Sequence, residues 1–76
     1  MPKLPLISGE QAVKCFKKIG YRVIRQRGSH IRLLHKTDEN KQPLTIPAHK
    51  VLGKGLLRKI LRDSRLTVEE FIRLVK

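Results

Sequence analysis

Acidic residues, cysteine and aromatic residues are all scarce in this sequence of 76 residues. Only six Asp and Glu stand against 18 Lys and Arg, and the resulting net charge of +12 favours a polyanionic partner such as nucleic acid. The single cysteine, Cys15, excludes an internal disulfide and a cysteine-rich zinc site. Tryptophan is absent, and two Phe and one Tyr are too few for a platform on which unpaired bases stack. The shortage of aromatic residues favours contacts with the backbone of a nucleic acid over stacking on its bases.

Long apolar segments are also missing, which makes a membrane surface a less favoured polyanion than nucleic acid. The start of the sequence, Met1–Pro5, has no apolar stretch of signal-peptide length, so we expect a cytoplasmic protein. Residues 1–7 are expected to form an extended arm, because two of them are prolines. The length suits one small domain, residues 1–76, with a thin hydrophobic core.

Two capping boxes and one apolar stripe predict three helices. Ser8 with Gln11 opens the first helix, and Thr67 with Glu70 opens a short last helix. Between them, three leucines and one isoleucine at helical spacing predict a second helix over about residues 55–63. The outer faces of the first two helices carry lysines and arginines, as expected of amphipathic helices.

Between the first two helices, short alternating segments predict three antiparallel strands over residues 21–26, 30–35 and 44–46. Gly20 is predicted to end the first helix as its C-terminal cap. In the second strand the period of two puts Ile31 and Leu33 toward the core, and therefore His30 and Arg32 on the opposite face. The third strand is predicted to be an edge strand, because prolines flank it. The predicted fold is α+β, with helices on one face of a three-stranded antiparallel sheet and an additional short C-terminal helix.

The segment Arg27-Gly28-Ser29-His30 joins the first two predicted strands and is the strongest candidate for a site. Gly28 suits a tight turn between strands, predicted at Arg27-Gly28, and Ser29 then starts the return strand. Histidine exchanges a proton near neutral pH, and several arginines lie nearby in sequence, so this position suits binding or cleavage of a phosphodiester. The competing interpretation is a turn histidine that only terminates a strand.

The other two histidines are weaker candidates. His49 follows the third strand and is interpreted either as a second catalytic group or as a loop residue that orders the turn. His35 lies at a strand end and is interpreted as structural. Three histidines without a cluster of cysteines or carboxylates do not predict a metal site.

Six residues are predicted to contact RNA, from their position near the turn or on basic surfaces: Arg27, Gly28, Ser29, Arg32, Lys50 and Arg58. The last of these belongs to the basic outer face of the second helix, which is otherwise interpreted as an ordinary solvated face.

Five segments follow one another in a distinctive order: Gly20-Tyr21, Arg27–His30, Ile46-Pro47-Ala48-His49, Gly55–Asp63 and Thr67–Phe71. Together they resemble the HicA toxins along nearly the whole chain. The resemblance implies a fold like that of a double-stranded-RNA-binding domain. It also implies a metal-independent, cofactor-free endoribonuclease, an mRNA interferase that cleaves mRNA and stops translation. It further implies a HicB antitoxin partner that covers the active face. The family's catalytic histidine falls on His30, and the histidine of its Pro-x-His motif falls on His49.

Two positions depart from this family pattern. Leu56 stands where the family often has threonine, and Arg65 stands where it usually has glycine. Two alternatives to a nuclease remain open from the residues themselves: a basic RNA-binding module that does not cut, and a subunit that binds an acidic protein.

Overall fold

A computed structural model describes residues 3–76. Its elements, in chain order, are α1 (Gly9–Lys17), β1 (Tyr21–Arg27), β2 (His30–His35), β3 (Leu44–Pro47), α2 (Lys54–Ser64) and α3 (Val68–Val75). This order confirms the predicted α+β fold of the double-stranded-RNA-binding type with an added C-terminal helix. Of the predicted arm, residues 1 and 2 lie outside the described residues, and residues 3–7 form neither helix nor strand.

The predicted capping box at the start of α1 is confirmed. The Ser8 hydroxyl accepts from the Gln11 backbone N–H at 3.1 Å, and the Gln11 side-chain oxygen accepts from the Ser8 N–H at 2.9 Å. The predicted end of the helix was wrong: the C-cap is Lys18, and Gly20 ends the turn that follows, with a φ of +106°. The reason is that the N–H groups of residues 18–20 donate to carbonyls three residues earlier, which tightens the chain into a turn after α1.

The three strands form one antiparallel sheet in the order β1-β2-β3, so β3 is an edge strand as predicted. The turn between β1 and β2 lies one residue later than predicted. Arg27 still pairs with His30, and the two-residue turn consists of Gly28 and Ser29. Gly28 has a φ of +55°, a left-handed conformation that glycine adopts without steric cost.

The core lies between one face of the sheet and the helices. Ile31 and Leu33 of β2 are buried there, as the period of two predicted, and Phe16 of α1 and Phe71 of α3 stack with ring centroids 5.7 Å apart. His30 on the other face is exposed. The helices therefore cover one face of the sheet and leave the opposite face to solvent.

α2 extends one residue beyond its predicted bounds at each end. No side chain caps its start at Gly53, and Arg65 ends it in the left-handed conformation, with a φ of +61°. The capping box of Thr67 and Glu70 opens α3 as predicted. Within residues 3–76, no helix combines the length and apolar character needed to span a bilayer.

Candidate nucleic-acid interface and active site

Strand β1 contains one residue more than the strand it pairs with. Val23 lies opposite Leu33 and Arg25 lies opposite Arg32, so the intervening Ile24 has no partner. Such an extra residue is a β-bulge, which bends the strand and changes the face that later side chains occupy.

The bulge determines where the arginines of β1 lie. Strict alternation from the start of the strand would put Arg25 and Arg27 on the face that the helices cover. Instead, Gln26 is opposite the buried Ile31, while Arg27 is opposite the exposed His30. Both arginines therefore project from the open face, beside the histidine of the turn.

These side chains line a depression of about 210 Å³ on the open face. Its lining residues come from all three strands: Arg25, Arg27, His30, Arg32 and Thr45. Arg32 donates from Nη1 to the Thr45 hydroxyl at 2.9 Å, which fixes one guanidinium against β3. The depression thus combines one imidazole with three guanidinium groups.

No carboxylate among residues 3–76 forms an ion pair with these three arginines. Within residues 3–76 the one side-chain ion pair joins Lys59 to Asp63 at 3.3 Å, on α2. Guanidinium groups that lack a carboxylate partner keep their paired N–H donors available for an anion, and phosphate matches that geometry well. The depression can therefore hold a phosphate group beside His30.

His30 is exposed, and its ring has no hydrogen-bond partner among residues 3–76. Both ring nitrogens are consequently free to exchange protons with a ligand. The adjoining turn is fixed on both sides: Gln26 donates from its side chain to the Gly28 carbonyl at 3.2 Å, and the Ser29 carbonyl accepts from the Ala48 N–H at 2.6 Å. Gly28 and Ser29 thus shape the turn that presents His30.

His49 lies just after β3, and its neighbour Ala48 is hydrogen-bonded to the turn. His49 itself does not line the depression. Its carbonyl accepts from the Gly9 N–H at 2.9 Å, while its side chain is exposed. The backbone of the His49 loop therefore lies beside the turn that presents His30, but the imidazoles of His30 and His49 do not line the same depression. Lys50, in the same loop, and Arg58, on α2, are also exposed and also lie outside the lining.

His35 is held by the protein through both ring nitrogens. Nδ1 accepts from the backbone N–H groups of Thr37 and Asp38, at 3.2 and 2.9 Å, so Nε2 carries the proton and donates to the Ile19 carbonyl at 2.7 Å. The ring also contacts the Tyr21 ring edge to face, at a centroid distance of 5.1 Å. These contacts agree with the structural role predicted for His35.

The interior contains Cys15 and the side chains of both Phe residues and the one Tyr. Cys15 is buried in the core, and burial raises the pKa of its thiol, which keeps it protonated and unreactive. All three aromatic residues, Phe16, Tyr21 and Phe71, are also buried. The surface consequently presents no Phe, Tyr or Trp ring on which a base could stack. Residues 3–76 contain no group of three or more His, Cys, Asp and Glu side chains arranged to hold a metal ion.

Residues 9–66 match the family model described as the HicA toxin of bacterial toxin–antitoxin systems. This chain belongs to the HicA toxin family. The matched region contains the whole sheet, the depression, His49 and α2 of this HicA chain, whereas α3 lies beyond it. A comparison with curated proteins found no match.

Proposed function

We propose that this HicA chain is an mRNA interferase, a metal-independent endoribonuclease that cleaves mRNA and stops translation. His30 is its catalytic residue, and the RNA lies on the open face of the sheet. The observation that carries the proposal is the depression in which His30 lies among three arginines: within residues 3–76 the His30 ring has no hydrogen-bond partner and the arginines form no ion pair. Membership of a toxin family supports the same conclusion.

The proposed reaction uses the 2′-hydroxyl of the RNA as its own nucleophile. His30 takes the proton from that hydroxyl as the 2′ oxygen bonds to the adjacent phosphorus, and the bond from phosphorus to the 5′ oxygen then breaks. The leaving oxygen receives a proton, and the guanidinium groups stabilise the additional negative charge on the phosphoryl oxygens in the transition state. These steps produce a 2′,3′-cyclic phosphate end and a 5′-hydroxyl end.

His49 is the second candidate for proton transfer, as donor to the leaving oxygen. Support comes from the Ala48 N–H to Ser29 carbonyl bond, which keeps the His49 loop beside the turn that presents His30. Arg27 and Arg32 are proposed to contact phosphate within the depression. Lys50 and Arg58 are proposed to contact the RNA outside it, where their contribution depends on salt concentration.

We further propose that a HicB-type antitoxin neutralises the chain by covering the open face. The net charge of +12 supports a partner with an acidic surface. Coexpression with such an antitoxin is expected to restore growth and to prevent RNA cleavage.

The deciding experiment compares the wild-type chain with His30→Ala, His49→Ala and the matched control His35→Asn. Each is induced in cells for growth and mRNA integrity, and each is purified for cleavage of RNA in the presence of a chelator. Circular dichroism verifies that each variant is folded. We expect the wild type to arrest growth and to cut RNA in chelator, and the His30→Ala variant to do neither.

Equal cleavage by wild type and His30→Ala would overturn the role of His30, and loss on His49→Ala alone would transfer the role to His49. A folded wild-type chain that binds RNA without cutting it would instead be a basic RNA-binding module of the same fold. Cleavage that disappears in chelator would contradict the metal-independent mechanism.

A further inference from the structure

Arg25 and Arg32 are neighbours across β1 and β2, and both line the depression beside His30. Like charges directly opposite each other destabilise a sheet, so this pairing costs stability that a bound anion would recover. Arg32 is already oriented by its bond to the Thr45 hydroxyl. Arg25 is exposed and has no protein hydrogen-bond partner among residues 3–76.

We infer that Arg25 and Arg32 together bind one backbone phosphate of the RNA, and that the Ile24 bulge is the feature that puts Arg25 in position to do so. This inference rests on the proposed function in taking RNA as the ligand. It adds a phosphate-binding residue, Arg25, and it states how the RNA is recognised: by phosphate groups held on the open face.

The burial of every Phe and Tyr ring supports recognition of the backbone. Without an exposed Phe, Tyr or Trp, the surface lacks the usual platform on which single-stranded bases stack. Phosphate contacts carry no sequence information by themselves. We therefore expect affinity to vary little between RNA sequences and to fall steeply as salt concentration rises.

The test measures binding without cleavage, using short fluorescent oligo(U) and oligo(A) in which every 2′-hydroxyl is methylated. Such RNA lacks the nucleophile, so affinity is measured even if the chain proves not to be a nuclease. The key variant exchanges two adjacent residues, Arg25→Gln with Gln26→Arg. It keeps composition and net charge and moves one guanidinium from the open face to the face on which Gln26 lies.

Arg25→Ala and the exchange variant are each expected to bind the oligonucleotides about tenfold more weakly than wild type, because each lacks one charge-assisted hydrogen-bonding group on the open face. The slope of log affinity against log salt is expected to fall by about 0.7, the value for one phosphate contact on a single strand. Arg73→Ala, which removes one exposed charge on α3, is the matched control and is expected to stay within twofold of wild type.

Three results would overturn the inference. If the exchange variant binds as tightly as wild type while Arg25→Ala binds weakly, only total charge matters and the bulge has no role in RNA binding. If neither variant weakens binding, or if wild type does not bind the methylated RNA, Arg25 is not a phosphate contact. If wild type binds with the expected dependence on Arg25 but does not cut unmodified RNA, the phosphate site stands and the proposed nuclease activity fails.

Discussion

A histidine lies at each end of β2, and the two side chains have opposite environments. His35 uses both ring nitrogens in hydrogen bonds to the backbone and packs on Tyr21. His30, five residues earlier, is exposed beside arginines that form no ion pair, and its ring has no hydrogen-bond partner among residues 3–76. Proton transfer needs a ring nitrogen that is free of protein hydrogen bonds, so His30 is a candidate for catalysis and His35 is not.

Replacement of each histidine by alanine gives the largest expected effects, and they differ in kind. His30→Ala is expected to lower the rate of RNA cleavage by about 10²–10⁴-fold, the usual contribution of general acid–base catalysis, with the unfolding free energy unchanged within about 0.5 kcal/mol. His35→Ala is expected to lower the unfolding free energy by about 2–3 kcal/mol, because backbone groups lose their partners and the Tyr21 contact is lost. Cleavage assays and urea titrations measure the two effects. A His30→Ala variant that is destabilised but still cleaves RNA would show that His30 serves stability and not catalysis.

Gly20 lies beside His35 and Gly28 lies two residues before His30, and the two glycines differ in the space around them. A Cβ on Gly20, whose φ is +106°, would lie 2.6 Å from Nε2 of His35, whereas a Cβ on Gly28 would meet nothing within 4 Å. Gly20→Ala is therefore expected to lower the unfolding free energy by more than about 2 kcal/mol, and Gly28→Ala by only about 1 kcal/mol of left-handed strain. Thermal or urea unfolding of both variants measures the difference. Equal losses would show that His35 moves aside easily.

The stability of the protein is expected to fall at high pH because of Tyr21, which contacts His35 at the end of β2. Burial, assisted by the carboxylates of Asp63 and Asp38, raises the pKa of Tyr21 to about 12, above its ordinary value of 10.0. The folded state therefore favours the neutral phenol, whose hydroxyl donates to the Gln42 carbonyl at 2.8 Å. This contribution to stability is complete below about pH 10 and is lost as the pH rises through about 12.

Urea unfolding between pH 9 and 12 is the measurement. Tyr21→Phe is the control, since it keeps the ring packing and lacks the titrating group. The wild type is expected to lose more stability over that range than the variant does. Identical slopes would mean that Tyr21 is not held neutral by the fold.

Arg65 provides the smallest expected effect. Its φ is positive, as are those of Gly20 and Gly28, but unlike these glycines Arg65 carries a side chain. Arg65→Gly is expected to raise the unfolding free energy by about 0.5–1 kcal/mol, because the steric cost of a left-handed Cβ at the end of α2 disappears. A urea midpoint unchanged from wild type would show that the Arg65 side chain offsets this cost.

Most of the fold could be predicted from the sequence because its signals are local. Ser8 with Gln11 and Thr67 with Glu70 determine helix starts through bonds over three residues, and the alternation in β2 predicted which face carries His30. The end of α1 was missed because the chain tightens into a turn before Gly20, which depends on bonding and not on the glycine alone.

The position of Arg25 on the open face could not be predicted from alternation, because a bulge shifts the phase of the strand. The signal was present in β1: two apolar residues, Val23 and Ile24, stand side by side and interrupt the alternation. Pairing with β2 decides which of the two is the extra residue, and that pairing is a tertiary property. The bond from His35 to the Ile19 carbonyl was likewise not predictable from the sequence, since it joins residues 16 apart that meet only when β1 and β2 pair.

The Ile24 bulge also has a consequence for association between copies of the chain. β1 forms an open edge of the sheet, and a regular, uncharged edge invites a strand from another molecule to add to it. The bulge interrupts the row of backbone donors and acceptors along this edge, and the arginines that follow it repel an identical neighbour. One unpaired residue therefore hinders edge-to-edge aggregation of a strand whose Val23 and Ile24 side chains are both partly exposed.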